Sequence, residues 1–190
     1  MEFKKVVVGG GVTKAVEIAN NLPFVLIAGP CQLQTRDIAI KTCEYLMKIT
    51  DKLGINYIFK GSFDKANRNS VSAARGIGLE EGIKIFDEIR NTYHIPVMTD
   101  VHTEEQSLII APHVDMIQQP AFLIRQTDLS KSIAETGKVC NLKKAQFMAP
   151  KDMKNVIEKF ETFGNKNLCL TERGTSFGYG TLVVDNPGLV

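Results

Sequence analysis

No apolar run in the chain approaches the roughly 18 residues a membrane-spanning helix needs. The N-terminus, MEFKKVVVGGGVTK, offers only Val6-Val7-Val8, with no small-residue cleavage site behind it. Neither a membrane anchor nor a secretion signal is expected, and the reading is a cytoplasmic protein. A charge excess is missing too. There are 23 Lys and Arg against 21 Asp and Glu, a net +2 over 190 residues, too little for a general attraction to nucleic acid. The four cysteines, Cys31, Cys43, Cys140 and Cys169, contain no C-x-x-C pair. They read as reduced thiols, the last three as packing residues. His94, His102 and His113 show no H-x-x-x-H spacing, so no complete metal site is visible. Linkers, low-complexity tracts and repeats are absent as well.

What remains is 44% hydrophobic and 23% charged, ample for a buried core. Apolar runs at 24–28, 57–59, 96–98, 114–118, 139–142 and 168–170 read as strands. Their near-continuous hydrophobicity marks parallel strands covered on both faces. Helical patterns lie between them. Ile38, Cys43, Leu46, Met47, Ile49 and Leu53 form a stripe that Gly54 closes, and Ile83, Phe86 and Ile89 form another. Thr103 with Gln106 fits a capping box, and Thr127 an N-cap. The last helix carries Met153, Val156, Ile157, Phe160 and Phe163, ended by Gly164.

Six β-α steps in succession give an α/β fold, either a doubly wound sheet or a (β/α)8 barrel. Gly9-Gly10-Gly11 lacks the rest of a dinucleotide-binding fingerprint, which favours the barrel. A (β/α)8 barrel typically takes about 250 residues, so about six of eight units are expected here. The expected organisation is one incomplete barrel domain over 1–190: a segment at 1–22, barrel units at 23–185, and a tail at 186–190.

In such barrels the chemistry lies where strands end. The strand ends of this chain carry Lys60, Lys65, Arg68, Arg125, Lys143, Lys144 and Arg173, offset in part by Asp64, Asp100 and Glu172. That many cations on one face suit phosphate or carboxylate groups. Asp100, His102, Asn67 and Gln146 could orient hydroxyls or exchange protons, or serve as ordinary caps and turn residues. The residues alone therefore point to an enzyme handling small phosphorylated or carboxylated molecules.

The stretches PFVLIAGPC (23–31), FKGSFDKANRNS (59–70), RGIGLEEG (75–82), TDVH (99–102), IQQPAFLIRQTDL (117–129), NLKKAQF (141–147) and LTERGTSFGYGTLVVD (170–185) closely resemble the 3-deoxy-D-manno-octulosonate 8-phosphate (KDO 8-phosphate) synthases. The Lys-Ala-Asn-Arg loop separates them from the sister 3-deoxy-heptulosonate 7-phosphate synthases, which use erythrose 4-phosphate. The resemblance implies a homotetrameric (β/α)8 barrel. It would condense phosphoenolpyruvate with D-arabinose 5-phosphate and water, on the route to lipopolysaccharide. It also implies that Lys60, Lys65, Gln118, Lys143 and Arg173 hold phosphoenolpyruvate, with the Ala121 backbone at its phosphate. Asn67 and Arg68 would meet the sugar phosphate, joined by Arg125 from a neighbouring subunit. Asp100 and Gln146 would line the reacting centre, where Lys60 and Lys143 would also offset developing charge.

Cys31 resembles the metal-dependent subclass, whose divalent cation takes further His, Glu and Asp ligands absent from this sequence. Gln34 stands where the family usually has Glu. Asn186 to Val190 depart from the family pattern. The resulting expectation is a barrel that does not close, with little or no synthase activity alone and no tight metal binding by Cys31. A non-catalytic ligand-binding or interaction module is the alternative.

Overall fold

The computed structural model describes residues 3–179 and 181–184; the tail expected at 186–190 lies outside the described residues. The chain falls into two compact units, Met1–Asp100 with Ile110–Met116, and Val101–Ile109 with Ile117–Val190.

The first unit opens with an antiparallel hairpin, β1 (Val6–Gly10) and β2 (Thr13–Ile18), where only an N-terminal segment was expected. Val6, Val8 and Val16 are buried, while the residues between them face out. The glycine run makes the turn. Gly9 has φ +85°, and a Cβ there would meet the Lys14 carbonyl oxygen at 2.5 Å. Strand β3 (Val25–Ala28) follows, then α1 (Arg36–Leu53), β4 (Asn56–Lys60), α2 (Leu79–Glu88) and β5 (Val97–Asp100). The three strands are parallel neighbours in chain order.

Helix α1 is capped by the Thr35 hydroxyl and closed by Gly54 in the left-handed region. Its buried face differs from the expected stripe. Ala39, Ile40, Cys43 and Thr50 are buried, whereas Ile38, Ile49 and Leu53 are exposed. Thr50 tolerates burial because its hydroxyl donates to the Leu46 carbonyl at 2.9 Å. Helix α2 runs into a π turn, Ile89–Tyr93, that stops at His94 with φ +54°. Beside it, the Asp115 carboxylate (side chain 5% exposed) receives the Val97 amide at 2.9 Å, the Arg90 guanidinium at 3.1 Å and the Thr13 hydroxyl at 3.4 Å. This carboxylate ties the hairpin to the start of β5.

The second unit carries α3 (Glu104–Ile110), β6 (Met116–Gln119), α4 (Thr127–Glu135), β7 (Val139–Lys143), α5 (Met153–Thr162) and β8 (Leu168–Thr171). A small hairpin follows, β9 (Thr175–Ser176) and β10 (Leu182–Val183). β6, β7 and β8 are neighbours in that order, and β7 and β8 are parallel. The capping box expected at α3 forms with a shift. Thr103 accepts the Gln106 amide at 3.2 Å, but the Gln106 side chain takes the His102 amide rather than that of Thr103. Thr127 does not cap α4: it is the first helical residue, and its hydroxyl accepts Lys159 Nζ at 2.8 Å.

These are six strands with five helices between them, an α/β chain of the (β/α)8 class; β5 and β6 are fully buried, as are β4 but for its two end residues and β7 but for Lys143. No helix among the described residues is long and apolar enough to cross a membrane.

Candidate active site

Lys60 is the last residue of β4 and Asp100 the last of β5, so both project from strand C-termini. Lys60 Nζ lies 3.0 Å from Asp100 Oδ1 and 2.6 Å from Ser62 Oγ. Lys65 Nζ reaches the same Ser62 oxygen at 2.6 Å, and Ser62 also bonds Asp100 Oδ1. A hydroxyl has two lone pairs and one proton. Accepting from both ammonium groups, Ser62 donates its proton to Asp100, and its whole capacity is used. The cluster is largely buried and carries one more positive than negative charge, which favours an anion. Nothing in the sequence singled out Ser62; its only signal is a place two residues past a strand-end lysine.

The loop after Lys60 is held by backbone. Lys65 N donates to the Arg75 carbonyl at 2.6 Å, and Gly78 N to that of Phe63 at 3.0 Å. Arg75 takes Asp64 through two bonds, 2.8 and 2.5 Å, so Asp64 does not neutralise the lysines. Asn67 and Arg68 are exposed on this loop, and Arg68 bonds the Gln32 side chain and the Ala74 carbonyl. Gly29 ends β3 against the backbone of Lys60; a Cβ there would sit 2.1 Å from the Lys60 carbonyl oxygen. Cys31, two residues on, is exposed. Among the described residues no group of three or more His, Cys, Asp or Glu side chains comes together. The donors present therefore do not fit the divalent cation that Cys31 suggested.

In the second unit, Gln118 donates to Asn141 Oδ1 at 2.7 Å, and Thr171 donates to the same oxygen at 2.9 Å. This row of polar side chains crosses β6, β7 and β8 and fixes the amide of Gln118; Asn141 and Thr171 were not foreseen. Ala121 is buried in a short turn, Ala121–Leu123. Arg125 is exposed and lines a cleft of about 330 Å³ with Phe147, Asp152, Asn155 and Lys159.

Lys143, the last residue of β7, and Lys144, the first beyond it, part company. Lys143 is half-buried, whereas Lys144 is fully buried and bonds the carbonyls of Ala145, Met148 and Gly174. The reading of Lys144 as a cation presented to an anion is corrected: its charge is spent inside the protein, on those carbonyls and on Glu172 at 3.4 Å. Arg173 follows Glu172 in the turn after β8 and is half-buried. Gln146 Oε1 and Glu172 Oε2 are buried acceptors without a hydrogen-bond partner.

Residues 6–185 match the family described as the DAHP synthetase I family. The chain is 56% identical over 170 residues to the "2-dehydro-3-deoxyphosphooctonate aldolase" of Brucella canis, covering 90% of the chain and 61% of that protein. The protein of the same name from Pseudomonas putida is 56% identical over 173 residues, covering 91% and 62% respectively. The chain thus spans about three-fifths of the length of these relatives.

Proposed function

The chain belongs to the DAHP synthetase I family, and we propose that it carries the phosphoenolpyruvate- and aldose-phosphate-binding groups of a KDO 8-phosphate synthase. The reaction is the condensation of phosphoenolpyruvate with D-arabinose 5-phosphate and water, giving KDO 8-phosphate and inorganic phosphate, in the cytoplasm on the route to lipopolysaccharide. C3 of phosphoenolpyruvate attacks the sugar aldehyde, water adds at C2, and phosphate leaves by C–O cleavage. The observation that carries the reading is the Lys60–Ser62–Lys65–Asp100 cluster, a largely buried group with a spare positive charge.

In this proposal each unit carries groups that the family resemblance assigns to phosphoenolpyruvate: Lys60 and Lys65 in the first, and Gln118, Lys143, Arg173 and the Ala121 backbone in the second. Two fixed ammonium groups offset negative charge developing on the substrate as bonds rearrange, and fixed charges act without reorganising. The resemblance assigns Asp100 and Gln146 to the reacting centre; in the first unit the Lys60 bond keeps the Asp100 carboxylate in place. Asn67 and Arg68 take the sugar phosphate, an arginine fork suiting that group. Their exposure accords with meeting a second substrate from solvent. Arg125, equally exposed, would reach a neighbouring copy in a homo-oligomer.

The relatives' name favours the octulosonate product over the heptulosonate one. Calorimetric titration of the chain with phosphoenolpyruvate, followed by phosphate release with arabinose 5-phosphate or erythrose 4-phosphate, tests the reading. Saturable binding that Lys60→Met abolishes is expected, and any turnover should prefer the five-carbon sugar. Absence of binding, or preference for erythrose 4-phosphate, counts against it.

A further inference from the structure

The lysine that directly follows β7 is the most completely buried cation described. Lys144 Nζ is surrounded by five oxygens: the carbonyls of Ala145 at 3.1 Å, Met148 at 3.2 Å and Gly174 at 3.1 Å, the Thr175 hydroxyl at 3.1 Å, and Glu172 Oε1 at 3.4 Å. An ammonium has three protons, so the five acceptors share them and the group behaves as a small cation in an oxygen cage. Two of the acceptors belong to the turn after β7, two to the turn after β8, and Thr175 opens β9 directly behind that turn. Backbone joins the same two turns, through Ser176 N donating to the Gln146 carbonyl at 2.9 Å.

Glu172 extends the arrangement. Its Oε1 accepts the backbone amides of Arg173 at 3.0 Å and Gly174 at 2.5 Å as well as facing Lys144. One carboxylate oxygen therefore pins the backbone on both sides of the Arg173 Cα, and Gly174, at φ +88°, makes the bend. Lys144 and Glu172 together are electrically neutral, so the pair adds nothing to the attraction for an anion. Burying an ion pair rarely stabilises a fold over a well-packed apolar residue. Fixing the relation of two turns is what such a pair can do and a methionine cannot.

We infer that Lys144 and Glu172 are positioning residues. Their buried pair locks the turn after β8 onto the turn after β7, and so sets the direction of Arg173 towards the anionic substrate. This rests on the phosphoenolpyruvate reading above. Neither residue touches the substrate, and both act through Arg173 and its backbone.

The test is a double-mutant cycle on the chain with Lys144→Met, Arg173→Met and the pair, read as phosphoenolpyruvate affinity by calorimetry. Amide hydrogen exchange at Arg173 and Gly174 is measured alongside. Lys144→Met should weaken binding at least tenfold in the wild-type background and less than twofold in the Arg173→Met background, because a residue acting through Arg173 has nothing left to act on. A general loss of stability would instead multiply the two effects. Exchange at the two amides should speed by tenfold or more in Lys144→Met. Wild-type affinity in that variant, effects that multiply, or unchanged exchange overturns the inference.

Should Lys144→Met not fold, Glu172→Gln, which keeps the shape and removes the charge, takes its place in the same cycle with the same criteria. Should the wild-type chain bind no phosphoenolpyruvate, the functional reading falls by itself. The exchange rates then decide whether the pair pins the turn: faster exchange supports it, and equal rates overturn it.

Discussion

Replacing Ser62 by alanine removes one oxygen from a place where three charged groups meet. That oxygen accepts Lys60 Nζ and Lys65 Nζ, each at 2.6 Å, and is fully buried. Lys60 keeps Asp100 at 3.0 Å, so its loss is partial, whereas Lys65 gives up a charge-assisted bond. Hydrogen bonds to charged groups contribute about 1.5–3 kcal/mol. The two nitrogens share one acceptor, which holds them within about 5 Å of each other; at an effective dielectric of about 20 their repulsion is about 3 kcal/mol. Without the shared oxygen they move apart, and the lysine side chains relax towards solvent. A net destabilisation of about 2–3 kcal/mol follows. For a chain of this size that lowers Tm by roughly 4–12 °C, at about 2–4 °C per kcal/mol. Because an anion bridging both ammonium groups loses its preformed geometry, phosphoenolpyruvate affinity should fall about 10–100-fold, the equivalent of about 1.4–2.8 kcal/mol. Thermal denaturation with and without phosphoenolpyruvate reads both effects. A Ser62→Ala protein that melts within about 1 °C of wild type and gains the same ligand-induced shift would refute the reasoning.

Three further expectations come from the same interactions. Asp115→Asn leaves the Arg90 guanidinium (side chain 16% exposed) with only Asp87, at 4.0 Å, as a carboxylate partner; breaking a buried pair costs about 3–5 kcal/mol, and denaturant titration should show a loss near the lower figure, with a change below about 1 kcal/mol telling against the hub. Gly29→Ala places a Cβ 2.1 Å from the Lys60 carbonyl oxygen, so the chain should express poorly or lose most of its cooperative unfolding, and a wild-type Tm would show that β3 ends elsewhere. Burial pushes the Cys43 and Cys140 thiols up to about 12 and Cys169 up to about 11. The native state then keeps protons that the unfolded chain releases above about pH 9, so stability is whole below that pH and falls as pH rises towards 11, by about 1.4 kcal/mol per unit for each thiol. A Tm profile from pH 8 to 10.5 should slope downward and flatten in a Cys43→Ala, Cys140→Ala variant; equal slopes in both proteins would contradict the assignment.

The strands were legible because burial on both faces writes an unmistakable signal: Tyr57-Ile58-Phe59 and Val97-Met98 need no partner to be recognised. The residues just past those runs are not legible as strand, since Thr99, Asp100 and Gln119 look like loop by composition. They belong to strands because their polar atoms find partners there, Thr99 on the Gly61 carbonyl at 2.8 Å and Gln119 on Ser130 at 3.1 Å. The N-terminal hairpin was hidden for a different reason. Its alternation spans only Val6, Val8 and Val16, and three glycines in a row carry no hydropathy at all. Helix α1 misled through abundance. With apolar residues on several sides, its stripe could not be placed, and the small Ala39 and the self-satisfied Thr50 took the core positions.

Charge was the least legible property, and the reason is physical rather than statistical. Seven cations were read onto one end of the strands from their positions alone, as if each delivered a full charge there. The structure gives them different fates. Lys60 and Lys65 share a hydroxyl and one carboxylate, and retain a positive excess among themselves. Lys144, next in sequence to Lys143, is neutralised inside the protein by Glu172 and three carbonyls. Arg68 and Arg125 face solvent, where screening weakens their field. Of a lysine pair counted as two positive charges, the charge of Lys144 thus goes to the fold. The difference is set by the oxygens that the turns after β7 and β8 bring around Lys144, which a charge count cannot register. Affinity for phosphoenolpyruvate should accordingly respond directly to loss of Lys60 or Lys65, and to loss of Lys144 only through the geometry of Arg173.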